Sequence, residues 1–222
     1  MKKFIKGLVS KPMKRAGVAI FNRLAEWSEA DLPAFATRPK HLTILPPRTI
    51  VEPRYMHVGD DVWLGPGSVL LAVSVLPGQP LLPAGMTPPF LQVFNPRIVI
   101  GNRVTSTGRL TLGAHAEIRI EDDVMFAANV LISDALHGYE NPDTAYKYQP
   151  MTRIAPIAIK RGCWIGQNVV VMPGVTIGEF SIIGANSVVT DNIPPRSIAM
   201  GAPARVEKVW DDARSDWVAV RA

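Results

Sequence analysis

The chain has 222 residues, of which 47% are hydrophobic and 19% charged, and its formal net charge is +5. This composition fits one globular domain with a large core. The single cysteine excludes a disulfide framework, and the absence of 18 consecutive apolar residues argues against a membrane span. Lysines spread through residues 1–20 also argue against a cleaved signal peptide, so we expect a cytoplasmic protein.

Residues 1–50 are predicted to form a basic, partly helical N-terminal extension. Cations crowd its start: Lys2, Lys3, Lys6, Lys11, Lys14, Arg15 and Arg23. Apolar residues stand between them, as in one or two short amphipathic helices broken near Pro12. Two interpretations stay open, namely packing on the domain or a neighbouring subunit, or loose contact with the anionic inner face of a membrane. Nucleic-acid binding is not expected, because interleaved stacking aromatics and a recognisable module are missing.

Branched apolar residues recur with a period of six in the second half of the chain. They are Ile159, Ile165, Val171, Ile177, Ile183 and Val189. A repeat this short cannot bury its apolar position alone, so successive hexapeptides must stack into a parallel β-helix around one aliphatic column. Cys163 falls on a small-residue position of this repeat, which predicts a buried packing residue rather than a nucleophile.

The same period appears earlier in the chain, first weakly from Val58 and then from Ile100 onwards. Ile100, Ser106, Leu112 and Ile118 keep the six-residue spacing, and Ile120, Phe126 and Ile132 repeat it after a shift of two. A shift of two preserves the alternation of inward and outward side chains in a strand. We therefore predict a mainly β domain over residues 51–210, with roughly five coils of three faces each.

Two long segments interrupt the repeat and one follows it. Residues 71–97 contain six prolines, too many for a central strand, and residues 133–158 form the second insertion. Long loops inside a solenoid are usually functional. Residues 211–222 are predicted to be a tail, either a short terminal helix or a frayed end.

His137 is the candidate catalytic residue that position and chemistry favour. A solenoid has little internal space, so a reactive site must form on an outer face where loops project, and His137 stands at the start of the second insertion. Asp134, Glu140 or Asp143 could hold one ring nitrogen while the other accepts a proton. A structural or merely exposed loop histidine is the alternative. His57, His115 and His137 form no tight spacing motif, so no metal site is predicted.

Three segments carry a closer resemblance: residues 163–178, residues 183–195 and residues 201–206. They resemble the hexapeptide-repeat acyltransferases, and most of all the O-acetyltransferases of sugars and bacterial surface polysaccharides. The resemblance is specific over about residues 98–210 and weak before them. It implies a left-handed parallel β-helix, a homotrimer, and acetyl-coenzyme A (acetyl-CoA) bound between neighbouring subunits.

The resemblance also assigns roles to individual residues. The family's catalytic histidine falls on His137, although many polysaccharide relatives have a second histidine where this chain has Ala135. The coenzyme contacts fall on Trp164, Gln167, Ala185, Thr190, Arg205 and Lys208. Coenzyme A needs cations for its phosphates and a flat apolar surface, which Arg205, Lys208 and Trp164 could supply. Solvated cations and small residues that merely complete coil corners are the alternative.

The resulting prediction is an acetyl-CoA-dependent O-acetyltransferase that acts on a sugar, in surface polysaccharide or lipopolysaccharide biosynthesis, with His137 as general base. Tyr139, Asn141 and Tyr146 could contact the sugar, although loop packing explains them as well. One alternative is an N-acetyltransferase of an amino-sugar nucleotide or an antibiotic-type acceptor. Another is a β-helix scaffold without catalysis. A zinc enzyme of the carbonic anhydrase type, which shares the coil, is disfavoured by the histidine spacing.

Overall fold

The computed structural model describes residues 31–76 and 91–220, and their regular structure is almost entirely β. The strands, in chain order, are β1 Thr43–Ile44, β2 Thr49–Val51, β3 Met56–Val58, β4 Trp63–Leu64, β5 Val69–Ala72, β6 Val75–Leu76, β7 Gln92–Val93, β8 Arg97–Ile100, β9 Thr105–Ser106, β10 Leu110–Ala114, β11 Glu117–Ile120, β12 Met125–Phe126, β13 Val130–Ser133, β14 Leu136–His137, β15 Met151–Thr152, β16 Ile157–Ile159, β17 Trp164–Ile165, β18 Val170–Val171, β19 Thr176–Ile177, β20 Ile182–Ile183, β21 Val188–Val189, β22 Ser197–Gly201, β23 Ala204–Asp211 and β24 Asp216–Ala219. Two short 3₁₀ turns, Pro53–Tyr55 and Tyr146–Tyr148, are the helical elements of the described residues, which hold no helix able to cross a membrane. The basic part of the predicted extension, residues 1–30, lies outside the described residues.

Three parallel sheets form the walls of a coil. Sheet A contains β1, β4, β9, β12, β17, β20 and β22, sheet B contains β2, β5, β10, β13, β18 and β21, and sheet C contains β3, β8, β11, β16 and β19. The chain visits the sheets in the order A, B, C, and five coils of the described residues contribute a strand to all three. A sixth coil ends in a single bridge between Ile193 and Ile177. The predicted parallel β-helix of hexapeptide repeats is confirmed.

The inner column consists of the residues that the six-residue period singles out. In sheet B, Leu112, Ile132, Val171 and Val189 stand in register on successive strands, and each is at most 1% exposed. The shift of two falls within β11, where Ile118 and Ile120 both point inward because they are two residues apart in one strand. Aliphatic side chains therefore fill the interior, and function depends on the outer faces and the insertions.

The coil begins earlier than residue 51. Thr43 and Ile44 pair with Trp63 and Leu64 of the next coil, and Ile44 is fully buried. The last part of the predicted extension thus belongs to the first coil. The apolar run in this last part of the extension is too short to reveal a six-residue period by itself.

The predicted terminal helix or frayed end at residues 211–222 is wrong for the described part of that segment. β23 turns back along β22, and β24 pairs antiparallel with β23, so a hairpin covers the last strand of sheet A. Trp210 and Trp217 are directly opposite each other and their rings meet edge to face, 5.5 Å apart. This cross-strand aromatic pair stabilises a strand pair that the charged and alanine-rich composition conceals.

Cys163 is buried, as predicted, and should be chemically inert in the folded protein. It is 1% exposed, its Sγ donates a hydrogen bond to the Gly178 carbonyl at 3.0 Å, and burial raises the pKa of the thiol to about 11. We expect iodoacetamide at about pH 8 to leave the folded protein unmodified and to alkylate this cysteine completely in guanidinium chloride. Mass spectrometry of both samples tests this, and rapid alkylation of the folded protein would contradict the buried position.

Candidate active site

Both insertions leave the coil at the same corner, between sheets B and C. The first follows β5 in the second coil, and the second follows β13 in the fourth coil. The third coil passes between them through His115 and Ala116, which join β10 directly to β11. The two insertions therefore project from one edge of the solenoid, with one coil between them.

The described part of the first insertion is a hairpin of β6 and β7. Val75 pairs with Val93, and the Phe94 N–H donates to the Ser74 carbonyl at 2.8 Å. At its base, the backbone N–H and the hydroxyl of Ser74 both donate to the Glu52 carboxylate at 2.8 Å. The hydroxyl hydrogen bond is the main reason why the pKa of Glu52 lies below its ordinary value. The first coil therefore anchors the start of this insertion.

His137 lies in a short strand of the second insertion. It pairs with Met151 across the antiparallel β14–β15 ladder, and the neighbouring Gly138 N–H donates to the Pro150 carbonyl at 2.7 Å. The side chain of His137 is exposed, and neither ring nitrogen has a hydrogen-bond partner within the described residues. The backbone is thus held while the imidazole faces outward, an arrangement that suits a base that must reach an external substrate.

Asp134, the first candidate for orienting His137, is fully buried and bound elsewhere. Its Oδ1 accepts the backbone N–H of His115 and its Oδ2 that of Ala116, both at 2.7 Å. The Nδ1 of His115 lies 3.5 Å from Oδ1 and is buried without a hydrogen-bond partner. In the part of the chain that the structure describes, Asp134 therefore ties the base of the second insertion to the third coil.

Glu140 and Asp143, the other two candidates, also make contacts within the second insertion. Glu140 accepts the backbone N–H of the preceding residue at 2.8 Å, and the Thr152 hydroxyl lies 3.4 Å from its second oxygen. Asp143 is exposed, and its N–H donates to the Asn141 side chain at 2.9 Å. Neither carboxylate is hydrogen-bonded to His137 in the described chain.

The candidate sugar contacts all lie on the surface of the second insertion. Tyr139 is 46% exposed, and the Arg153 guanidinium lies 4.3 Å from its ring centre. Tyr146 is 56% exposed on the second 3₁₀ turn. Asn141 exchanges hydrogen bonds with Gln149, accepting one at its carbonyl at 2.8 Å. The two tyrosine rings remain accessible, whereas Asn141 is bound within the insertion.

Trp164 forms one wall of a groove on the outer face of sheet A. It is 47% exposed and stands in register with Met125 on one side and Ile182 on the other. Met125, Trp63 and Thr105 also line the groove, whose volume is about 420 Å³. The sequence reasoning missed Trp63 and Met125. Each stands immediately before an inward-pointing residue of the repeat, so the six-residue register could have indicated them.

Lys208 shares this outer face. Ile198 follows Ile182 in register and in turn pairs with Lys208. Side chains at matched register positions of neighbouring strands point to the same side of a sheet. The tertiary structure thus brings the predicted contacts Trp164 and Lys208 onto one face, with two isoleucines between them.

Gln167 and Ala185 stack at the corner between sheets A and B. The Asn186 N–H donates to the Gln167 carbonyl at 2.8 Å, and both predicted residues are exposed. The corner itself is built by Asn129, Asn168 and Asn186, which have positive φ values and whose side-chain amides bond in a ladder at 2.9 and 2.8 Å. Asparagine tolerates this left-handed conformation, so the corner has the same shape in successive coils.

Thr190 and Arg205 meet at one carboxylate that the sequence reasoning missed. The Thr190 hydroxyl donates to the Asp191 side chain at 2.9 Å, and the Arg205 guanidinium donates to the same oxygen at 3.2 Å. Both Arg205 and Asp191 are exposed, so this ion pair contributes little stability. A phosphate could therefore displace Asp191 from Arg205 at small cost.

The histidines do not converge. His57 stands on the outer face of sheet C, in register with Val99, while His115 packs edge to face against Phe94 at 4.9 Å. Within residues 31–76 and 91–220, no three histidine, cysteine, aspartate or glutamate side chains come together as a metal site requires.

These features define the class: the chain is a hexapeptide-repeat protein, a parallel β-helix with its candidate site on projecting loops and outer faces. The bacterial transferase hexapeptide family, which has six repeats, matches residues 156–191. The matched residues begin one residue before β16 and end two residues after β21, the sheet-B strand of the sixth coil.

Individual relatives agree with this class. The galactoside O-acetyltransferase of Escherichia coli K12 is 37% identical over 129 residues, which are 58% of this chain and 62% of the relative. That of Lactococcus lactis is 35% identical over 57% of this chain and 60% of the relative. The chain thus spans less than two thirds of the length of these curated relatives.

Solved structures of low sequence identity share the fold. A variant of AntD, an N-acyltransferase from Bacillus cereus solved with dTDP and coenzyme A, is 17% identical with a TM-score of 0.64, covering 85% of this chain and 90% of that one. A hexapeptide-repeat acetyltransferase from Vibrio cholerae, solved with acetyl-CoA, is 21% identical with a TM-score of 0.52 and covers 91% of both chains. At these identities the likeness establishes the fold alone.

Proposed function

We propose that this protein is an acetyl-CoA-dependent acyltransferase that moves an acetyl group to a hydroxyl of a sugar. The observation that carries the proposal is the exposed imidazole of His137, held on a hairpin with both ring nitrogens unpartnered in the described chain. The galactoside O-acetyltransferase relatives support acetyl transfer to a sugar hydroxyl. An acceptor in surface polysaccharide or lipopolysaccharide biosynthesis is the finer form of the proposal and rests on the family resemblance.

In the proposed reaction, His137 acts as the general base. A neutral imidazole takes the proton from the acceptor hydroxyl while that oxygen attacks the carbonyl carbon of the thioester. The carbon–sulfur bond then breaks, the acetyl group remains on the acceptor oxygen, and the thiolate of coenzyme A leaves. The imidazolium returns its proton to the thiolate, so the histidine is neutral again for the next cycle.

The proposed coenzyme site consists of the groove beside Trp164 and the cations near the end of the coil. The exposed indole offers a flat surface to the adenine or the pantetheine arm, and the exposed corner at Gln167 and Ala185 leaves room for the arm to run along the backbone. Arg205 and Lys208 would neutralise the phosphates. Once a phosphate has replaced Asp191 as the partner of Arg205, the hydrogen bond from the Thr190 hydroxyl would still hold the Asp191 carboxylate.

The proposal includes a homotrimer in which a neighbouring subunit completes each site. Three features of the single chain support it: the interior of the coil is filled, the Trp164 groove is open, and the His137 ring lacks an orienting partner in the described residues. A second wall and an orienting group would then come from another copy, as in heterologous ring assemblies.

An acceptor panel tests the proposed activity. Purified protein, acetyl-CoA and one acceptor are combined, and release of the free thiol is followed with a chromogenic disulfide. The panel contains methyl β-galactoside, methyl β-glucoside and, as a contrasting amine acceptor, dTDP-4-amino-4,6-dideoxyglucose. Transfer to a glycoside, with the O-acetyl ester identified by mass spectrometry, is expected. If only the amine acceptor is acetylated, the protein is an N-acetyltransferase rather than an O-acetyltransferase. If none of the three acceptors is acetylated, the proposed function is contradicted.

The Arg205→Ala variant tests the coenzyme site. If Arg205 binds a phosphate, we expect its loss to weaken acetyl-CoA binding by about 10-fold or more, the range of a charge-assisted hydrogen bond. Calorimetry with coenzyme A and with 3′-dephospho-coenzyme A measures the effect. If the 3′-phosphate is the group bound, the variant should weaken coenzyme A binding and change dephospho-coenzyme A binding little.

The matched control is Arg196→Ala. Arg196 is also an exposed arginine of this end of the coil, and it is paired with Asp212 at 2.8 Å rather than with Asp191. Its replacement should leave coenzyme A binding unchanged. Equal binding by the Arg205→Ala variant and the unaltered protein would remove Arg205 from the coenzyme site.

A further inference from the structure

Within the described residues, the side chain of Gln92 joins the two insertions. Its Oε1 accepts the backbone N–H of Met151 at 2.7 Å, and its Nε2 donates to the Met151 carbonyl at 3.1 Å. Gln92 lies in β7 of the first insertion and Met151 in β15 of the second, 59 residues apart. The carboxamide therefore pairs with the edge of β15 as the backbone of a third strand would.

This bridge acts on the residue directly opposite His137. His137 and Met151 are register partners in the antiparallel β14–β15 ladder. Because the N–H and the carbonyl of Met151 are both bonded to Gln92, they point away from β14, and His137 and Met151 form a non-hydrogen-bonded pair. The Gly138 N–H, which donates to the Pro150 carbonyl at 2.7 Å, supplies the adjoining ladder bond. In a non-hydrogen-bonded pair the two side chains lie closest together.

The hairpin that carries His137 needs such support. β14 and β15 each contain two residues, and an isolated two-stranded hairpin is marginally stable in water. Gln92 is half-buried, so its two hydrogen bonds are partly shielded from competing water. Its own strand is held in turn by the β6–β7 ladder, where it pairs with Leu76.

We propose that Gln92 is a positioning residue for His137. By fixing the outer edge of β15, it sets the direction in which the imidazole projects, and it couples the first insertion to the general base. The inference rests on the proposed function only through the role of His137. The Gln92–Met151 bridge itself can be tested without any activity.

The test uses Gln92→Met, which keeps the length of the side chain and removes both hydrogen bonds. A loss of alignment by about 1 Å costs about 10²-fold in rate, so we expect kcat to fall roughly 10- to 100-fold. The KM for acetyl-CoA should change less than about twofold, because the substitution leaves unchanged the interactions that are equally strong in the ground state and the transition state. Hydrogen exchange of the Met151 amide should become faster by at least about 10-fold, in line with one lost hydrogen bond of this kind.

Val93→Thr is the matched control. Val93 is the next residue of the same strand, is 71% exposed, and has Val75 as its ladder partner. Threonine keeps the β-branched shape, so kcat and Met151 exchange should both stay at the values of the unaltered protein. If this control lowers kcat as Gln92→Met does, the effect belongs to the hairpin as a whole and the positioning role is overturned.

The double variant Gln92→Met, His137→Ala separates positioning from general loss of structure. If Gln92 acts through His137, its replacement has no further effect on the residual turnover of His137→Ala, whereas an independent structural role gives additive losses. Additive losses, unchanged Met151 exchange, or faster exchange with unchanged kcat would each overturn the inference. Failure of the proposed function is distinguishable, because it would show as full turnover in the single variant His137→Ala or as no turnover of any panel acceptor.

Discussion

Replacing His137 with alanine is expected to lower turnover by about two to four orders of magnitude, the contribution of a positioned general base. The imidazole has no hydrogen bond to the described protein, so its removal should leave the fold intact. Acetyl-CoA binding should persist, because Trp164 and Arg205 stand on β17 and β23, away from the β14–β15 hairpin. Steady-state kinetics with the best panel acceptor and calorimetry with acetyl-CoA measure the two quantities.

His41→Ala is the control for this variant. His41 is also exposed, and it bonds to Asp61 at 2.9 Å on the first coil, away from the corner where the insertions leave. Its replacement should not change turnover. Full activity in His137→Ala, with an unchanged melting temperature, would remove His137 from the reaction and assign the role of general base to another group.

Replacing Asp134 with asparagine is expected to destabilise the protein by about 2–3 kcal/mol, the cost of an unsatisfied buried polar group. Each carboxylate oxygen accepts one backbone N–H, from His115 and Ala116. An amide offers only one oxygen, so its NH₂ group must face one of these donors in a fully buried position. The melting temperature should fall by roughly 5–10 °C for a chain of this size, as measured by calorimetry.

Asp143→Asn supplies the comparison, since it makes the same chemical change at an exposed position of the same insertion. Surface substitutions of this kind stay within about 0.5 kcal/mol, so the melting temperature should move by about 2 °C or less. Equal melting temperatures for the two variants would contradict the clamp at Asp134. A loss of stability confined to Asp134→Asn would assign this residue to anchoring the insertion rather than to bonding with His137.

The candidate site could be predicted in part because some of its residues belong to the repeat or leave it at a fixed place. His137 follows the last inward residue of the β13 strand, where the repeat is interrupted, which places it on a projecting segment whatever that segment's conformation. Trp164 precedes an inward residue, so its side chain must face outward. The orienting candidates could not be ranked in this way. Asp134, Glu140 and Asp143 all lie within six residues of His137 in sequence, and only their hydrogen bonds distinguish them.

Contacts between distant segments could not be predicted at all. Gln92 bonds to Met151 across 59 residues, and Asp191 joins Thr190 to Arg205 only because β23 folds back on the last strand of the coil. Neither contact recurs at a fixed spacing along the sequence, so the six-residue repeat does not indicate it. A polar residue in a proline-rich segment could lie at many equivalent positions on the surface. The hairpin of β23 and β24, where composition predicts a helix or a frayed end at residues 211–222, could not be predicted for the same reason. Its stabilising pair, Trp210 and Trp217, requires a turn that composition does not reveal.

The sequence by itself determined the coil. Each apolar position of a hexapeptide finds its partner one coil away by a single rule, so a local spacing specifies long-range pairing such as Ile132 with Val171. The tertiary structure decided how the insertions pack on that coil. There the hydrogen bonds of Asp134 and Gln92 are made once, at one place, and the chain must be folded before either side chain meets its partner.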